Sequence, residues 1–126
     1  MFSKSQSQSH RRVSLAENFE KVKNQIAIDC FDREDTGMVW EIALIMAEVM
    51  TLPEDFTISI GGEKLPVELV REVYRNLENE HIKFVIEKFK GIDREIKHRK
   101  SYLRTALYNA PFETESDAVN FYNAYF

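Results

Sequence analysis

Residues 38–51 constrain this chain more than any other segment. Met38, Val39, Trp40, Ile42, Ala43, Leu44, Ile45, Met46, Ala47, Val49 and Met50 are apolar, and the only charges among them are Glu41 and Glu48. The run is too short and too charged to cross a bilayer, which takes about 20 apolar residues. It is also too long for a buried strand, and Pro53 just beyond it stops a helix. A helix that is apolar nearly all round must be wrapped by other elements. The segment therefore reads as the central, most buried rod of a helical core. Glu41 and Glu48 share one narrow polar stripe on it, either a solvated edge or a pair of catalytic carboxylates.

The wrapping elements follow from periodicity. Ser14 and Glu17 have the spacing of a capping box, and Leu15, Phe19, Val22 and Ile26 make one helical face that runs toward Cys30. Asp32 to Gly37 is a polar break. Phe56 to Ile60 alternates, Gly61-Gly62 follows, and Glu63-Lys64-Leu65 completes a β-hairpin signal. Pro66 occupies a helix-start position before the face of Val67, Val70, Val73, Tyr74 and Leu77. Asn79 offers a second cap before Ile82, Val85, Ile86 and Phe89, and Gly91 ends that helix. Tyr102, Leu103, Ala106, Leu107 and Ala110 form a further face that Pro111 should stop, with a last helix from Thr114 to Phe126. Its aromatic end, Phe121, Tyr122, Tyr125 and Phe126, reads either as docked on the core or as a partner-binding surface, and a homo-oligomer joined through it is compatible with any of the functional readings below. The expected fold class is mainly α: a five- to six-helix bundle with one short two-stranded hairpin at about residues 57–65. Residues 1–13, Ser/Gln-rich and then basic, read as a disordered polar tail. Residues 14–126 read as a single domain, and 126 residues is an ordinary domain size.

The net charge of −4 is unevenly distributed. Between Lys88 and Arg104 stand seven basic side chains against Asp93 and Glu95, a local +5, so the rest of the chain carries −9. Such asymmetry points to an anionic partner on one surface. Two readings stay open. The stretch is a solvated helix–helix connection whose charges offset acidic neighbours, or Lys97, Arg99, Lys100 and Arg104 form a nucleic-acid-binding edge, helped by the amides of a helix starting near Ser101. Tyr102 is the one interleaved aromatic, and no helix-turn-helix pattern supports sequence-specific reading.

Nothing in the sequence assembles a catalytic constellation, so a non-enzymatic protein is expected. There is no nucleophile elbow, no Ser-His-Asp signature and no nucleotide fingerprint. One cysteine and the scattered His10, His81 and His98 lack zinc spacing, so no metal or cofactor is expected. Cys30, at a helix C-terminal end where the dipole disfavours a thiolate, reads as a small buried hydrophobe. His81 reads as cap-adjacent. A lone cysteine fits a reducing cytosol, the polar N-terminus lacks a signal-peptide core, and a cytoplasmic location follows as an expectation.

Four segments together resemble a known family. Ser101-Tyr102-Leu103-Arg104-Thr105-Ala106-Leu107-Tyr108-Asn109-Ala110-Pro111 is similar to the ending of a domain of unknown function in replication initiator protein A of plasmids and integrative elements of Gram-positive bacteria. There the domain lies C-terminal to the winged-helix part. Gln25-Ile26-Ala27-Ile28-Asp29 is similar to its opening helix end. Ile58-Ser59-Ile60-Gly61-Gly62 with Pro66-Val67-Glu68-Leu69-Val70 resembles its hairpin and next helix, and Leu77 with His81-Ile82-Lys83-Phe84-Val85 resembles a further segment. The likeness spans about residues 22–111, departs from the family pattern at His98 and Arg99, and fits a stand-alone relative or an excised C-terminal piece. It implies a helical accessory domain in replication of plasmid or mobile-element DNA, one that docks a replication-machinery protein or adds a weak DNA contact. It implies no catalytic residue.

Overall fold

The computed structural model describes the backbone of residues 4–125 and the side chains of residues 14–115. In chain order the elements are α1 (Lys4–Gln25), short 3-10 turns at Ile28–Cys30 and Arg33–Asp35, α2 (Thr36–Thr51), β1 (Thr57–Ile60), β2 (Glu63–Pro66), α3 (Val67–Arg75), α4 (Asn79–Lys90) and α5 (Arg99–Tyr125). The fold is mainly α, with five helices and one antiparallel two-stranded sheet.

α2 is the central rod. Val39, Ile42, Ala43, Ile45, Met46, Ala47 and Val49 are buried along it. Around them pack Val22 and Ile26 of α1, Val67, Val70 and Tyr74 of α3, Ile82, Val85 and Ile86 of α4, and Leu103, Leu107 and Ala110 of α5. Each large apolar side chain taken out of water contributes about 1.5–3 kcal/mol, so this cluster is the main source of stability. The rod is not sealed, however. Trp40 is 46% exposed and Leu44 43%. Phe19 of α1 lies beside Trp40, ring centroids 5.4 Å apart.

The hairpin forms as its sequence requires. Gly61 and Gly62 both have positive φ (59° and 87°), which a tight turn of this hand needs and which a Cβ would strain. The register pairs Ile60 with Glu63 and Ile58 with Leu65, and alternation turns Ile58 and Ile60 into the core. Gly61 N–H donates to Thr105 Oγ1 at 3.0 Å, tying the turn to α5.

Helix ends are closed by side chains from distant elements. Buried Arg71 on α3 donates to the carbonyls of Val49 and Leu52, the orphaned acceptors at the end of α2, and pairs with Glu68. Gln25 donates to the carbonyls of Tyr74 (2.9 Å) and Leu77 (2.8 Å) at the end of α3. Asn79 returns the favour, donating to Ile26 O (2.9 Å) just past α1. That turn holds Ala27 in the left-handed region at φ 52°, a conformation costing an alanine about 1–2 kcal/mol.

Several expectations need correction. α1 begins at Lys4, so the helix extends into the segment expected to be a disordered tail, and Ser14 lies inside the helix rather than capping it. No proline or glycine interrupts residues 1–25, and extending a nucleated helix is far cheaper than starting one. α1 stops at Gln25 rather than near Cys30, and Cys30 is exposed on the 3-10 turn, not buried. Pro66 precedes α3 rather than opening it. The first residue of α4 is Asn79, but its amide serves α1. The Glu78 N–H is instead accepted by His81 Nδ1 at 2.9 Å, so the cap-adjacent reading of His81 holds. Pro111 does not stop α5 but sits within it. Leu103, Leu107 and Ala110 hold one side of the proline in the core. On the other side Glu113 pairs with Lys88 at 2.6 Å and Thr114 Oγ1 donates to Ala110 O at 2.9 Å. Tertiary anchoring thus outweighs the roughly 3 kcal/mol cost of an interior proline.

Candidate functional site

The basic stretch spans the end of α4, a connector at residues 91–98 and the first turns of α5. The structure divides its cations into two sets. Lys88 pairs with Glu113 at 2.6 Å, Lys90 with Asp35 at 2.7 Å, Arg99 with Glu41 at 2.7 Å and Lys100 with Glu48 at 2.5 Å. The two glutamates of the α2 stripe, each about one-third exposed, thus anchor α5 through Arg99 and Lys100. Arg99 grips Glu41 with both Nε and Nη2 and lies over the Phe89 ring, 4.7 Å from its centroid. The hydrogen bond to Glu41, reinforced by that carboxylate's charge, raises the Arg99 pKa despite partial desolvation. Lys90 is raised in the same way, chiefly by its hydrogen bond to Asp35.

Arg94, Lys97 and Arg104 form the second set, with no carboxylate within 4.0 Å among the described residues. Arg104 is half-buried on α5. Its Nε lacks a hydrogen-bond partner among the described residues, and its carbonyl accepts the Tyr74 hydroxyl at 2.7 Å. Burial drives the Tyr74 phenol well above its usual pKa, with the Arg104 charge opposing, so this is a neutral core hydroxyl. Arg94 and Lys97 are exposed on the connector and line an open cleft of about 520 Å³. The hairpin turn Gly61-Gly62 lines it together with His98, Ser101, Tyr102 and Thr105, and Ile92 and Ile96 give the apolar part of the lining. Among the described residues Glu95 is its one acidic side chain.

Of the four cations expected to bind nucleic acid, then, Arg99 and Lys100 hold α5 to α2, Arg104 is half-buried, and Lys97 alone faces the cleft. α5 begins at Arg99, so Ser101 lies in its first turn and is not the cap. Sequence reasoning missed Arg94 as a site residue and missed the hairpin turn as part of the lining. Arg94 was legible as part of the basic run, but nothing local distinguishes a connector cation from one facing an acidic helix. The aromatic candidates Phe121, Tyr122, Tyr125 and Phe126 lie outside the described side chains.

One carboxylate group has metal-like spacing. Asp32, Glu34 and Asp35 place oxygens within 4.8 Å of one another, but the Lys90 ammonium sits at 2.7 Å from Asp35 and 3.7 Å from Glu34 and offsets part of their charge. Among the described residues no helix is long and apolar enough to cross a membrane.

The geometry defines a small helical domain with one hairpin and a cationic cleft. The chain belongs to a family of unknown function, DUF6017, whose pattern it matches over residues 3–125. Comparison with curated proteins and with solved structures returned no match.

Proposed function

We propose that this protein is a non-enzymatic accessory domain in the replication of plasmid or mobile-element DNA, acting in the cytoplasm by docking a protein of the replication machinery. The reading rests on the likeness of four segments to the C-terminal domain of replication initiator protein A. One observation carries it furthest: two of those segments, the hairpin ending in Gly61-Gly62 and the stretch from Ser101 to Pro111, are joined by the Gly61–Thr105 hydrogen bond. Their buried side chains Ile58, Ile60, Leu103, Leu107 and Ala110 belong to one core cluster. The resembling segments thus share one core, which supports reading them together. Partner docking falls to exposed apolar side chains such as Trp40 and Leu44, and to the aromatic candidates Phe121, Tyr122, Tyr125 and Phe126, which also serve a homo-oligomer. Affinity capture and cross-linking of the full chain in a plasmid-bearing cell tests the reading. Recovery of a replication protein, with altered plasmid copy number on deletion, is the expected result. Capture of none, with unchanged copy number, overturns it.

The second reading is direct, non-sequence-specific nucleic-acid binding through the 88–104 stretch, favoured by the carboxylate-free Arg94 and Lys97. Binding of an oligonucleotide by the full chain at low salt, weakening as salt rises, is its test. No binding at low salt ends it.

A further inference from the structure

We infer that the cleft between the Gly61-Gly62 turn and the 91–98 connector is a seat for one nucleotide of a single-stranded nucleic acid, its phosphate held by Arg94 and Lys97. The inference rests on the second reading above and gives it an address and a ligand.

Lys88, Lys90, Arg99 and Lys100 each meet a carboxylate, so their charges serve to join helices. Arg94 and Lys97, a few residues away on the connector, meet none among the described residues, and both line the same concavity. Two unopposed cations lining one cleft attract an anion. At about 520 Å³ the cleft is a small-ligand volume, larger than one phosphate requires.

The rest of the lining says what accompanies the phosphate. Tyr102, Ile92 and Ile96 add an aromatic ring and apolar surface beside the cations. This combination of a charged wall and a stacking surface suits an unpaired nucleotide, whose base presents a face that a duplex keeps buried. A duplex phosphate needs only an open positive surface and would leave the aromatic and apolar lining unused. No Cβ projects from Gly62, and one built there would meet nothing within 4 Å, so backbone can come close to a ligand on that side. The Gly61–Thr105 hydrogen bond holds the turn to α5. Glu95 opposes the phosphate and keeps the affinity modest.

Fluorescence anisotropy of the full chain, with a labelled single-stranded oligonucleotide at two salt concentrations, tests the proposal. A duplex of the same sequence and a free nucleoside monophosphate serve as competitors. The expected result is preference for the single strand, at least about tenfold weaker binding by the R94A/K97A variant, and a salt slope shallower by about 0.7, from the one phosphate that both cations hold. E95Q should bind about twofold tighter, as expected when a nearby like charge is removed. Circular dichroism of the exposed-loop variants checks that they fold. If the natural chain fails to bind the strand at low salt, the second reading falls and this one with it. If the chain binds but R94A/K97A binds equally well, the cleft assignment alone falls. Equal affinity for the duplex, or competition by the free nucleotide as strong as by the strand, overturns the single-strand assignment.

Discussion

Two parts of one basic stretch illustrate opposite uses of charge. At its ends, Lys88, Lys90, Arg99 and Lys100 project from helices that face acidic positions on other elements, and each is neutralised. In its middle, Arg94 and Lys97 sit on a connector that shares a cleft with the hairpin turn and the first turns of α5. In composition the two parts look alike. What separates them is whether the fold brings a carboxylate opposite. Arg71 marks the extreme case, a guanidinium 6% exposed whose donors serve backbone carbonyls as well as Glu68.

The contrast predicts a graded series of stabilities, measurable by denaturant unfolding. Arg71→Ala has the largest effect, about 3–5 kcal/mol of destabilisation, since it strips partners from buried carbonyls and leaves a hole beside α2. A loss under about 1 kcal/mol would make Arg71 merely another surface cation. Pro111→Ala comes next with opposite sign. It restores a helix-interior N–H and should stabilise by about 2 kcal/mol after the entropy gained by the unfolded chain. An unchanged midpoint would mean that α5 gains nothing from that bond. Third, a double-mutant cycle on Arg99 and Glu41 should give a coupling of only about 0.5–1 kcal/mol, shrinking in high salt, because both side chains are substantially solvated. Smallest of all, Lys97→Ala and Arg94→Ala should each leave stability within about 0.5 kcal/mol of the natural chain. A large loss at either would show that the connector cations hold the fold together after all, and would erase the distinction between the two sets.

Much of the architecture is legible without coordinates. The buried rod at residues 38–51, the hairpin with its Gly-Gly turn, and the core faces built on Val22 and Ile26, on Val70 and Tyr74, on Ile82, Val85 and Ile86, and on Leu103 and Leu107 all follow from local periodicity. Less was legible at the site. Lys97 was named from charge density, and its cleft neighbour Arg94 was not. Arg99 and Lys100 were named for a role that their ion pairs with α2 now compete with. Ser14 failed as a boundary because the helix simply continues through it, whereas the failures at Cys30 and Pro111 share one cause. Capping and breaking signals report local preferences of about 1–3 kcal/mol, and packing from a remote element reverses preferences of that size.

The order of apolar and polar residues along this chain determined which stretches coil, which pair, and which side of each turns inward, because burial depends on the spacing of neighbours a few positions apart. Only the tertiary structure decided that Glu41 would meet Arg99, 58 residues away, that Arg71 would close the end of α2, and that Arg94 and Lys97 would share a cleft with the hairpin turn. Such meetings depend on how whole elements cross in space, and the spacing of residues within an element carries no record of that.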